Sequence, residues 1–283
     1  AFAVDDEKNG RCFICRDRFG VKPLFYSLSG GRLVFGSEIK ALFEYPGIKP
    51  VLDRQGLCEV LGLGPARTEG IGVFKGINEI KPGCFGIFSK DGFTEKAYFR
   101  LTSHEHEESY EDTVRHVRFL VEDSVERQLV SDVPLCTFLS GGLDSSVITA
   151  LAANKYAESG KTLSTYSFDF TGNDKYFRPT AFQPDADKPF AQRMVDFCRT
   201  DHTYLECGNV RLADCLYNAV DAKDLPGMAD VDSSLLYFCS LVKKKHVVAL
   251  SGECADEIFG GYPWFHKKEA FEGHCFPWSP DLS

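Results

Sequence analysis

At 283 residues the chain can form one large domain or two ordinary ones, because single cores stop growing near that length. Apolar residues make up 43% and charged residues 26%, with 24 Phe, which argues against disorder and predicts a sizeable core. The net charge of −9 argues against a nucleic-acid surface, and it would repel an anionic substrate unless bound cations and loop dipoles reverse the field locally.

The chain opens at Ala1-Phe2-Ala3-Val4, already within an expected strand and with no Met. Up to about Leu101 it alternates short apolar runs with Gly, Pro and Asn. Residues 11–16, 24–27, 32–37, 84–89 and 94–99 read as strands, separated by turns such as Ser29-Gly30-Gly31 and Lys90-Asp91-Gly92. This predicts a mainly antiparallel first half. Its best helix is 53–61, capped by Asp53 and closed by Gly62.

The charged tract His104-Glu105-His106-Glu107-Glu108 reads as a solvated linker rather than a metal site, and it divides the chain into 1–103 and 104–283. Ser109 and Asp112 then resemble a capping box, followed by Val114, Val117, Val121, Val125 and Leu129 at helical spacing. Next come a strand (133–139), a Gly-rich turn, a helix (145–156), a strand (162–168) and further alternation up to a strand at 247–250. Lys243, Lys244 and Lys245 read as a solvated helix end. Strands alternating with helices predict an α/β, doubly wound parallel sheet. Ligands of such sheets lie beyond the carboxyl ends of the strands, which directs attention to the residues after Leu139 and Leu250.

Eleven cysteines, an odd number scattered through core-like segments, are expected to be free thiols in a reducing cytosol. Cys12 and Cys15 form a CxxC pair, but three residues apart on a strand they face opposite sides, which disfavours a shared metal. No signal peptide or run of eighteen apolar residues is present, so the expected location is cytoplasmic, with no membrane partner.

The strand ending at Leu139 runs into Ser140-Gly141-Gly142-Leu143-Asp144-Ser145-Ser146. Two glycines permit a tight turn with inward N–H groups, the hydroxyls add donors, and a helix starts there with its positive end. Those features make an anion cradle, although on these seven residues alone a plain structural connection stays open. A carboxylate at Asp144 suits phosphate only if a cation such as Mg²⁺ bridges the two. No Gly-Lys-Ser/Thr follows, which disfavours γ-phosphate transfer. The second strand end, Leu250-Ser251-Gly252-Glu253-Cys254-Ala255-Asp256-Glu257-Ile258-Phe259-Gly260-Gly261-Tyr262, repeats the Ser-Gly start and crowds acids into one loop, as a metal site would.

SGGLDSS is similar to the pyrophosphate loop of N-type ATP pyrophosphatases, and SGECADEIFGGY resembles the second signature of glutamine-dependent asparagine synthetases. RDRFGVKPLFY (16–26) and GSEIKAL (36–42) resemble the closing part of that family's glutaminase domain, and the likeness extends from residue 1 to about 268. It implies that 1–103 is the C-terminal part of an N-terminal-nucleophile glutaminase domain and 104–283 an ATP-pyrophosphatase synthetase domain. It further implies that ATP adenylates the side-chain carboxylate of aspartate, and that ammonia derived from glutamine then displaces AMP. Carried over by motif, Ser140, Gly141, Gly142, Asp144 and Ser145 bind pyrophosphate, Asp144 and Asp256 share Mg²⁺, and Leu139, Phe170, Ser251 and Gly252 meet the nucleotide. Glu253 assists the attack of ammonia. The resemblance leaves room for a homodimer.

Two departures stand out. Cys254 occupies a position where the family usually has Gly. The segment 228–234 (MADVDSS), in the region expected to receive aspartate, presents acids rather than a cation. A related synthetase acting on another carboxylic acid, such as a β-lactam synthetase, and an inactive ATP-binding fragment therefore stay open. Neither the glutaminase nucleophile nor the family's C-terminal catalytic lysine is present, so the expectation is a piece of a longer enzyme.

Overall fold

The structure, a computed structural model, describes residues 1–179 and 185–272. These form two compact units, one of Ala1–His106 with Leu212–Leu236, the other of Glu107–Arg211 with the chain from Tyr237 onward.

The strands of the first unit are β1 (Phe2–Asp6), β2 (Arg11–Cys15), β3 (Phe25–Ser29), β4 (Arg32–Gly36), β5 (Asn78–Glu79), β6 (Cys84–Ser89) and β7 (Gly92–Ala97). They build two antiparallel sheets, ordered β1-β2-β6-β7 and β4-β3-β5. Ile14, Leu24, Ile80 and Cys84 fill one core, and Phe25, Ile39, Leu42, Ile48, Val73 and Ile77 fill a second. Leu225 inserts into that second core, which explains why a segment so late in the chain packs with the first unit. Lys40 fastens it there. Its Nζ donates to the carbonyls of Asp221 and Ala222 and pairs with Asp224 at 3.1 Å, at the end of the helix Leu216–Lys223. The helix Arg54–Gly62 starts as read, with Asp53 accepting from the Gly56 N–H at 2.9 Å.

The motif at residues 16–26 is a loop latch. Arg16, only 8% exposed, donates from Nε to the carbonyl of Lys22, from Nη1 to that of Ile80 and from Nη2 to that of Gly20, while its guanidinium pairs with Glu79 at 3.0 Å. Asp17 accepts from the N–H groups of Phe19, Val21 and Lys22. Burial acts to raise the Asp17 carboxyl, but those three donors prevail and hold it below its ordinary value.

In the second unit the helix Tyr110–Gln128 is capped by Ser109, whose hydroxyl accepts from the Asp112 N–H at 3.1 Å. Its apolar stripe is covered only toward the C-terminal end. Val125 is buried and Leu129 packs on the core, whereas Val114 is 49% exposed. Four strands, β8 (Leu135–Phe138), β9 (Ser164–Phe170), β10 (Asp201–Cys207) and β11 (Val248–Leu250), form an all-parallel sheet in the order β10-β9-β8-β11. Alternation along β8 sends Leu135 to one face, among Ala152, Ala153 and Leu163, and Cys136 to the other, beside Tyr166 and Val242. Burial pushes the Cys136 thiol up to about 12, so it is an inert core residue. The cysteines among the described residues are free thiols. No described helix is long and apolar enough to cross a membrane.

Candidate nucleotide-binding site

Because β8 and β11 are parallel neighbours, with Leu250 in register with Thr137, their carboxyl ends deliver the two Ser-Gly loops to the same end of the sheet. The loops touch. A Cβ built on Gly252 would lie 2.8 Å from the Asp144 Cβ and 3.0 Å from the Ser145 N, so no side chain fits between them. Gly141 is constrained twice, by a left-handed φ of 91° and by the Ala191 N only 2.5 Å from any Cβ it might carry. The helix Lys188–Cys198, which supplies Phe190 and Ala191, therefore forms the floor under the first loop.

The hydroxyls divide their work. Ser145 is buried and its Oγ donates to the Gly142 carbonyl while accepting from the Ser140 N–H, so it shapes the loop from within. Ser140 Oγ lies 3.0 Å from Ser145 Oγ and accepts from the Gly142 N–H at 3.3 Å. Gly142 then caps the helix Leu143–Glu158, whose first turn holds Asp144. Below the loop, the buried hydroxyls of Thr137 and Thr149 meet at 2.9 Å and tie the strand to that helix.

Asp144 and Asp256, which the resemblance pairs on one metal, lie on the two loops that meet at Gly252. Burial and, behind it, the Asp256 carboxylate raise the Asp144 carboxyl above its ordinary value. Among the described residues no cluster of three or more His, Cys, Asp or Glu offers a self-sufficient metal cage. Carboxylates are the donor type that Mg²⁺ takes.

The remaining expected residues lie at the same end of the sheet. Leu139 is 1% exposed, its N–H donates to the Tyr166 carbonyl and its own carbonyl accepts from Ser167 Oγ. Phe170 ends β9, half-exposed, with its N–H on Asp169 Oδ1 at 2.8 Å. Ser251 is half-buried and Glu253 exposed at the turn after β11. Sequence reasoning missed Ser167, Asp169 and the Phe190-Ala191 floor. The first two stand one residue apart near the end of β9, where the rule of strand ends could have found them.

Cys254 adopts φ 70°, ψ 4°, the left-handed region. That backbone conformation suits the glycine usual at this position in the family. Cys254→Gly should stabilise the chain by about 1 kcal/mol, the usual penalty of a Cβ in that region less the extra freedom of glycine when unfolded. Urea denaturation checks this, and an unchanged or lowered midpoint contradicts it.

Residues 116–283 match the family model described as asparagine synthase, and residues 1–99 match one described as a glutamine amidotransferase domain. The chain is 56% identical over 279 residues to asparagine synthetase (glutamine-hydrolyzing) 3 of Bacillus subtilis, covering 98% of this chain and 45% of that protein. Asparagine synthetase (glutamine-hydrolyzing) 1 of the same organism is 29% identical over 93% of this chain and 39% of its own length. Amidase chyE of Penicillium rubens is 28% identical over 94% of this chain and 40% of its own length. The chain thus spans less than half the length of these relatives. With the asparagine synthase match extending over more than half of its residues, the chain belongs to that family.

Proposed function

We propose that the chain carries the adenylating part of a glutamine-dependent asparagine synthetase, with residues 1–103 contributing the closing part of the glutaminase domain and 104–283 the synthetase domain. The observation that carries this reading is the contact of the two Ser-Gly loops, with Gly252 against Asp144. In the reaction an oxygen of the aspartate side-chain carboxylate attacks the α-phosphorus of ATP and the bond to the β-phosphate oxygen breaks, releasing pyrophosphate. Ammonia then attacks the acyl carbon, AMP departs and a proton is lost.

Ser140 Oγ and the Gly141 N–H bind the departing pyrophosphate, assisted by the helix that begins at Leu143, while the Gly142 N–H on Ser140 Oγ holds the turn. Ser145 holds that turn in shape. Leu139, Phe170, Ser251 and Gly252 flank the nucleotide, and Glu253 takes the proton of the incoming amine. Asp144 and Asp256 would hold Mg²⁺, which when bound supplies positive charge against the oxygens of the leaving group.

The acceptor has a second reading, the same chemistry on another carboxylic acid. In the acidic segment, Asp232 is occupied by Lys223 at 2.6 Å and by the Met228 N–H at 2.8 Å, while Asp230 is exposed. Exchange of labelled pyrophosphate into ATP tests both readings. It should require aspartate for the first, and another amino acid in its place for the second. ADP and phosphate as the only nucleotide products would overturn α–β cleavage itself.

A further inference from the structure

The first unit holds a cavity of about 530 Å³ that takes no part in the chemistry above. Arg18, Lys81 and Arg100 line it against a single carboxylate, Glu69, with Phe19, Phe99 and Leu101 supplying apolar walls. In a chain of net charge −9, this is a concentrated positive patch. None of the ion pairs among the described residues includes Arg18, Lys81 or Arg100. Three cations lining one cavity without ion-pair partners repel one another, and an anion in their midst removes that cost.

The neighbouring motif residues sharpen the contrast. Arg16 and Asp17 are consumed in the loop latch, whereas Arg18 and Phe19, next in the same run, turn to the cavity. Arg18 stacks over the Phe99 ring at 5.4 Å and Phe19 meets Phe99 edge-on at 5.7 Å, yet Phe19 stays 67% exposed. An exposed aromatic face beside uncompensated cations suits a flat ring that carries a phosphate. Cys84, which also lines the cavity, is buried and its thiol is raised, chiefly by that burial, so it lines the wall without reacting.

We propose that this cavity binds a nucleoside monophosphate, the ring against Phe19 and the phosphate among Arg18, Lys81 and Arg100. A phosphate monoester carries between one and a half and two negative charges near neutral pH, roughly what three cations and one acid leave unbalanced. A volume of this size also falls within the ordinary range for small-molecule sites.

Photolabelling with 8-azido-AMP, followed by peptide mapping, separates this site from the one at the sheet. Label is expected on the peptide containing Arg18-Phe19 or on that containing Phe99-Arg100, in addition to any near residues 139–145. AMP should compete for it at concentrations where adenosine and inorganic phosphate do not. In Arg100→Glu, an exposed position whose change leaves the fold intact, labelling of these peptides should fall at least tenfold, with labelling near 139–145 unchanged. Labelling confined to 139–145, or persisting in Arg100→Glu, overturns the proposal. Equal competition by phosphate alone overturns the nucleoside part of it.

Discussion

Asp144→Asn is expected to lower pyrophosphate exchange by at least about a hundredfold, the usual loss when a group that stabilises developing charge is removed. The same variant should make the chain more stable when no metal is present. Burial and Asp256 raise the Asp144 carboxyl, and a raised acid favours the folded state fully below its unfolded value, losing that contribution as pH rises through the folded value. At pH 7 its ionisation therefore works against the fold, and Asn removes that cost. Below about pH 4, the unperturbed carboxylate range, variant and parent should converge. Mg²⁺ with ATP should raise the melting temperature of the parent and leave that of Asp144→Asn or Asp256→Asn nearly unchanged. A variant that keeps both the exchange activity and the Mg²⁺-dependent shift would remove Asp144 from the site.

Arg16→Met should destabilise the chain by about 3–5 kcal/mol, the cost of leaving one member of a buried pair alone. The change strips Glu79 of its cation and leaves the carbonyls of Lys22, Gly20 and Ile80 without their donor. Arg16→Lys should recover little, because a single ammonium cannot reach the three carbonyls that the planar fork serves in different directions. Pairing Arg16→Met with Glu79→Gln should recover part of the loss by removing the stranded charge. Denaturant midpoints measure all three, and a loss below about 1 kcal/mol for Arg16→Met would show that water replaces the latch without cost.

The two Ser-Gly loops were legible because each is a local pattern: a hydrophobic run, Ser-Gly, then acids. The antiparallel strands were legible for the same reason, with Cys84–Ser89 delimited as observed and its partner shifted to Gly92–Ala97, because Ser89 pairs with Gly92 across a shorter turn. Local pattern does not carry neighbourhood. Nothing around Thr137 announces that Leu250 will lie beside it, and nothing around Lys40 announces Asp224. The stripe from Val114 to Leu129 reads as uniformly core-facing, since periodicity records one face of a helix and not how far along it the partner reaches. Ser145 reads as a phosphate donor for a similar reason. Only its depth in the first helical turn shows that the hydroxyl is taken by Gly142.

The pairing of β8 with β11 joins segments more than a hundred residues apart, as the Cys136 thiol on the Val248 carbonyl illustrates. The cradle after Leu139 can form early, but its acidic counterpart arrives only when the chain around Leu250 docks against the far side of β8. Closing so long a loop is slow, and the contact it yields is among the last to become favourable. A ligand that needs both loops has no affinity for a chain in which they are separate, so a nucleotide bound as proposed would act as a thermodynamic latch on that docking step. During synthesis, the site does not exist until the ribosome has passed the second Ser-Gly.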